Sequence, residues 1–106
     1  MRPSVVTAVA LLTRIVSDCL RCNGRLDEAL AHARMAAQTF VSWAGADDPQ
    51  ASFYLRSEGD CLLALGRRQE ALDILKRAAD LARRDPAQQH PAIVAVYESL
   101  ARATQA

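Results

Sequence analysis

Gly66-Arg67-Arg68-Gln69-Glu70-Ala71-Leu72 has an echo in the same chain, Gly24-Arg25-Leu26-Asp27-Glu28-Ala29-Leu30, and the step from Gly24 to Gly66 sets a period of 42 residues. The frame holds beyond this stretch. Arg14 falls on Arg56, Asp18 on Asp60, Cys19 on Cys61, Leu20 on Leu62, Ala36-Ala37 on Ala78-Ala79, and Pro49 on Pro91. Self-similarity at a fixed spacing of about twenty to fifty residues is the signature of stacked supersecondary units. The fold class follows: all-α, with helices paired across short turns.

Working outward, each long segment has helical periodicity. Val5, Val9, Leu12 and Val16 recur at that spacing, as do Val6, Ala10 and Thr13. Ser4 is read as the N-cap of this first helix. Asn23-Gly24 ends it, because both residues tolerate the left-handed conformation of helix C-termini. The second helix, about 25–43, places Asp27 and Glu28 at the positive end of its dipole. Its face of Ala29, Ala33, Ala36 and Ala37 invites a close neighbour. Gly45-Ala46-Asp47-Asp48-Pro49 is a loop, in which Gly45 is expected to tolerate Ala. The third helix, about 50–65, contains Gly59, which costs about 1 kcal/mol against Ala and so implies close approach of another helix. Gly66 ends that helix. A fourth helix to about Arg84, a loop through His90-Pro91 and a fifth helix complete the chain.

Composition narrows the functional classes. The chain has 106 residues, 51% of them hydrophobic and only 5% aromatic, and a formal charge of +1. It reads as one domain, 1–106. Near-neutrality argues against a nucleic-acid or membrane partner. All 13 basic residues but Lys76 are Arg, which fits a GC-rich genome. An odd three cysteines exclude a full disulfide framework and point to the cytoplasm. The apolar run from Ser4 to Thr13 faintly suggests a signal-peptide core, but Arg14 interrupts it after about ten residues, too few to span a bilayer. It is read as an ordinary buried helix.

A helix, a Gly turn, then Asp27-Glu28-Ala29-Leu30 or Gln69-Glu70-Ala71-Leu72 opening the next helix resembles the tetratricopeptide repeat. Its usual unit is 34 residues. The 42-residue spacing, with a loop ending in His90-Pro91, resembles the kinesin-light-chain-type variant, which also occurs in bacterial signalling proteins. The resemblance implies a right-handed α-α superhelix of five helices, two and a half repeats, with units of about 10–51 and 52–93 and a half unit 94–106. Small residues are expected where the helices of a unit cross: Ser17 and Gly59, Ala29 and Ala71, Ala36 and Ala78. Leu26 and Arg68 replace the common Tyr, and Thr13 and Leu55 the common Trp.

The resemblance also implies a function. The first helices of such units line a concave groove that holds a peptide or partner helix. Carried over by frame, the groove positions are Leu11, Arg14, Asp18, Arg21 and Cys22, then Phe53, Arg56, Asp60, Leu63 and Ala64, then Ala95, Glu98 and Arg102. Arg14–Asp18 and Arg56–Asp60 are i,i+4 pairs, each contributing about 0.3–0.5 kcal/mol if exposed. Asp18 and Asp60 stand where a chaperone-binding subclass has Asn, so a terminal carboxylate is not the expected ligand. The expectation is a non-catalytic protein- or peptide-binding scaffold with no cofactor or metal. The rivals are a self-associating subunit, a fragment of a larger bacterial regulatory protein, and a small metal- or thiol-dependent enzyme.

The enzyme rival rests on Cys19-Leu20-Arg21-Cys22 with Cys61. A redox C-x-x-C needs its first Cys at a helix N-terminus, whereas this pair closes a helix. A structural zinc needs four ligands, and only Cys61 and His32 are at hand. Cys19 and Cys61 share a frame position and are therefore expected to be equivalent buried packing residues. His32 and His90 lack an acid or nucleophile beside them, and no phosphate-binding Gly-rich loop is present. The two ends of the stack, Val5, Val9 and Leu12 in the first helix and Ile93, Val96, Tyr97 and Leu100 in the fifth, carry an apolar excess. They are expected to support homodimerisation or docking onto a larger protein.

Overall fold

A computed structural model describes residues 2–105. It contains five helices: α1 (Pro3–Cys22), α2 (Leu26–Ala44), α3 (Ala51–Ala64), α4 (Arg68–Ala82) and α5 (Pro91–Thr104). No strand occurs among the described residues. Helix ends fall within two residues of the expected ones, except that Arg2, not Ser4, is the N-cap of α1 and makes no side-chain cap bond.

The two turns use one device. Gly24 and Gly66 take φ of +78° and +79°. Gly24 N–H donates to Arg21 O and Arg25 N–H to Leu20 O; Gly66 N–H donates to Leu63 O and Arg67 N–H to Leu62 O. This is the Schellman arrangement, in which a left-handed residue folds the chain back onto the last carbonyls of the helix. The result is two helical hairpins, α1 with α2 and α3 with α4. α2 packs on α3, and α5 rests against both α4 and α3.

The crossing positions are small because nothing larger fits. Ala29, Ala36, Ala71 and Ala78 have no exposed surface, and neither does Ser17. A Cβ on Gly59 would sit 2.5 Å from Cγ and Cδ2 of Leu75. Ser17, at the frame position of Gly59, donates instead to Ala29 O at 2.7 Å. The core has three parts: Leu30, Leu62 and Leu75 between the hairpins; Phe40, Tyr54 and Leu81 at the other end of α2; Ile93 and Val96 under α5.

Three expectations need correction. α1 is not buried: Val6 and Ala10 turn inward, but Val5, Val9, Leu11, Leu12, Ile15 and Val16 are exposed, because α2 and α3 cover only one side of it. Cys61 is buried and Cys19 exposed, although they share a frame position. Cys61 has the first hairpin against it, while the same side of α1 has no helix. Gly45 has φ +96° and ψ 155°, a conformation essentially reserved for Gly, so the loop does not tolerate Ala freely.

Candidate binding surface

The first helices of the units lie side by side, α3 between α1 and α5. Contacts between these helices fix several of the proposed groove positions. The Arg14 guanidinium carbon lies 5.8 Å from the centre of the Tyr54 ring, within range of a cation–π contact. Tyr54 in turn stacks on Phe40, with ring centres 4.9 Å apart. Burial pushes the Tyr54 phenol above its usual pKa, against the opposing charge of Arg14.

Only one of the two expected i,i+4 pairs forms. Arg56 meets Asp60 at 3.5 Å. Arg14 does not meet Asp18. Asp18 instead lies 3.6 Å from Arg21 and accepts a 3.2 Å hydrogen bond from the Ser57 hydroxyl of α3. The cause is the neighbour: α3 offers Tyr54 to the cation and Ser57 to the carboxylate. At the next step of 42 residues α5 has the opposite signs, with Glu98 where Arg14 and Arg56 stand and Arg102 where Asp18 and Asp60 stand. Arg102 therefore reaches Asp60 Oδ1 at 3.6 Å, so the buried Asp60 lies between two cations.

The other proposed positions have varied surroundings. Leu11, Cys22, Ala64, Glu98 and Arg102 are exposed; Phe53, Leu63 and Ala95 are half-buried. Phe53 packs against the cluster under α5, and Leu63 against the one between the hairpins. Sequence reasoning missed Ser57 and Tyr54 as partners of the groove charges. Their frame equivalents, Ile15 and Leu12, carry no polar signal, so only proximity identifies them.

The proposed self-association residues divide sharply. Val5, Val9 and Leu12 are exposed, whereas Ile93 and Val96 have no exposed surface and cannot contribute. Tyr97 and Leu100 are half-buried, and the Tyr97 hydroxyl donates to Gln88 at 2.6 Å. α5 is covered because it packs into the angle between α3 and α4.

The residues with potential chemistry are dispersed. His90 caps α5, its Nδ1 accepting from Ala92 N–H at 3.1 Å. His32 Nδ1 lies 2.8 Å from the Glu28 carbonyl of the preceding turn. Burial pushes the Cys61 thiol pKa up, against the Ser17 hydroxyl and the Arg21 charge. Among the described residues no three His, Cys, Asp or Glu side chains gather as metal ligands. Nor is any helix among them long and apolar enough to cross a membrane.

A family model described as tetratricopeptide repeat matches residues 7–84. No curated protein matches the chain.

Proposed function

We propose that this chain, which belongs to the tetratricopeptide repeat family, is a non-catalytic scaffold that holds a peptide or helix of a partner protein against the face of α1, α3 and α5. Repeats of this family generally mediate protein–protein interaction. The 42-residue period supports reading the repeats as the kinesin-light-chain-type variant, and that resemblance implies a right-handed stack. The carrying observation is the state of the charges on that face. Asp18 and Asp60 are engaged by the chain's own Arg21, Arg56 and Arg102, while Arg14 lies over Tyr54 and meets no carboxylate among the described residues. The face is thus a fixed framework in which the Arg14 cation rests on an aromatic ring without a carboxylate partner, flanked by the exposed Leu11. A pre-formed surface loses little side-chain entropy on binding, which favours affinity. The partner segment that fits pairs an acidic side chain with an apolar neighbour.

Selection from a random peptide library, followed by fluorescence anisotropy on the winners, tests this. Acidic–apolar peptides should be retained, and Arg14→Ala should weaken them about tenfold, near 1.4 kcal/mol. Binding should also fall with added salt. Winners indifferent to both Arg14→Ala and Arg56→Ala would place the binding surface elsewhere.

A further inference from the structure

We propose that the outer face of α1 is a self-recognition surface, on which α1 of a second copy packs antiparallel about a two-fold axis at Leu12. The face is apolar along its length. Val5, Val9, Leu12, Ile15 and Val16 keep 44–61% of their surface exposed. From Pro3 to Thr13 there is no charged residue, and Arg14 and Asp18 turn towards α3. The corresponding face of α3 shows what this position requires. Ala51, Tyr54, Ser57 and Cys61, the frame equivalents of Val9, Leu12, Ile15 and Cys19, are all buried by helices packed against them.

The pattern specifies a second α1 as the cover. Counted from Leu12, Val9 and Ile15 lie three residues away on either side, Ala8 and Val16 four, and Val5 and Cys19 seven. The set is unchanged when the helix is reversed, which is the condition for an isologous two-fold contact. Its alternating three- and four-residue steps also form the seam along which helices pack lengthwise. Each pair in the reversed alignment sets a smaller side chain against a larger one, or like against like. The alternative of stacking head to tail would place this seam on α5, whose exposed side sets Glu98 beside Val94 and Ala101, with Arg102 at its edge towards Asp60. Burying those charges against aliphatic groups is unfavourable. With the exposed Ala8 and Cys19, these side chains offer at most roughly 500 Å² per chain, so a pair buries no more than about 1,000 Å², the lower bound for a specific interface. The dimer is therefore weak and concentration-dependent.

Sedimentation equilibrium from low micromolar to about 0.5 mM protein tests the association. A monomer–dimer equilibrium weakened at least tenfold by Leu12→Glu, with helical circular dichroism unchanged, is the expected result. A monomer throughout, a dimer indifferent to Leu12→Glu, or assemblies that keep growing with concentration would each overturn the proposal. The orientation has its own test, which does not depend on Leu12→Glu folding. In the antiparallel pair Cys19 faces Val5, and the two Cys19 residues lie about 21 Å apart along the helices, far outside disulfide reach. In a Cys22→Ser background, Val5→Cys should give a linked dimer on addition of diamide, which accepts the two electrons and two protons released by the thiols. The same background without Val5→Cys should not. A Cys19–Cys19 dimer in that control, or no linkage with Val5→Cys, would refute the antiparallel arrangement.

Discussion

Gly59→Ala is expected to have opposite effects in two backgrounds. In the native protein the added Cβ meets Leu75 Cγ and Cδ2 at 2.5 Å, and Leu75 is fully buried in the core between the hairpins, with no room to retreat. Overpacking of this kind costs about 1–3 kcal/mol. Replacing a helix-interior Gly by Ala returns about 1 kcal/mol. The clash outweighs the propensity, leaving a net loss of up to about 2 kcal/mol, or several degrees of melting temperature in a domain of this size. Leu75→Ala alone should cost about 2–5 kcal/mol through its cavity. In that background the clash is gone, and Gly59→Ala should stabilise by about 1 kcal/mol. The first unit already uses small partners at both positions, with Ser17 in the frame of Gly59 and Ala33 in that of Leu75. Thermal and urea melts of the four proteins measure the coupling, expected at about 1–3 kcal/mol. The same sign and size in both backgrounds would refute the close approach of α3 to Leu75.

Gly45→Ala should destabilise by about 1–3 kcal/mol with little change in helix content, because φ +96° with ψ 155° strains any L side chain; an unchanged urea midpoint would contradict this. Burial holds the Glu58 carboxyl above its usual pKa, with the Arg34 hydrogen bond and charge only partly opposing it. The folded state therefore binds this proton more tightly than the unfolded state. Its contribution is fully present below the ordinary carboxylate range and is lost as pH rises through the raised value. The melting temperature of Glu58→Gln relative to native should accordingly be higher at pH 7 than at pH 4, and an equal difference at both would remove the burial effect. Titration with Ellman's reagent should show Cys19 and Cys22 reacting promptly and Cys61 only on unfolding, because Cys61 is buried and its thiol pKa raised. Three thiols reacting at one rate would be inconsistent with that packing.

The sequence by itself determined the helices, their turns and the small crossing positions, because each is set by short-range interactions that the 42-residue period copies. Gly24 and Gly66 take the same left-handed conformation and make the same pair of carbonyl bonds, since that device needs only the preceding helix. Tertiary structure decided whatever depends on which helix lies alongside, and frame equivalents have different neighbours. Cys61 is buried against the first hairpin while Cys19 faces outward. Asp60 is held by Arg56 and by Arg102 from α5, while Asp18 takes Arg21 and the Ser57 hydroxyl. Ile93 and Val96 on the inner side of α5 vanish against α3 and α4, whereas Val5, Val9 and Leu12 stay exposed on α1. A repeat copies residues and local hydrogen bonds, but burial and charge pairing are properties of contacts, and a stack changes its contacts at each end.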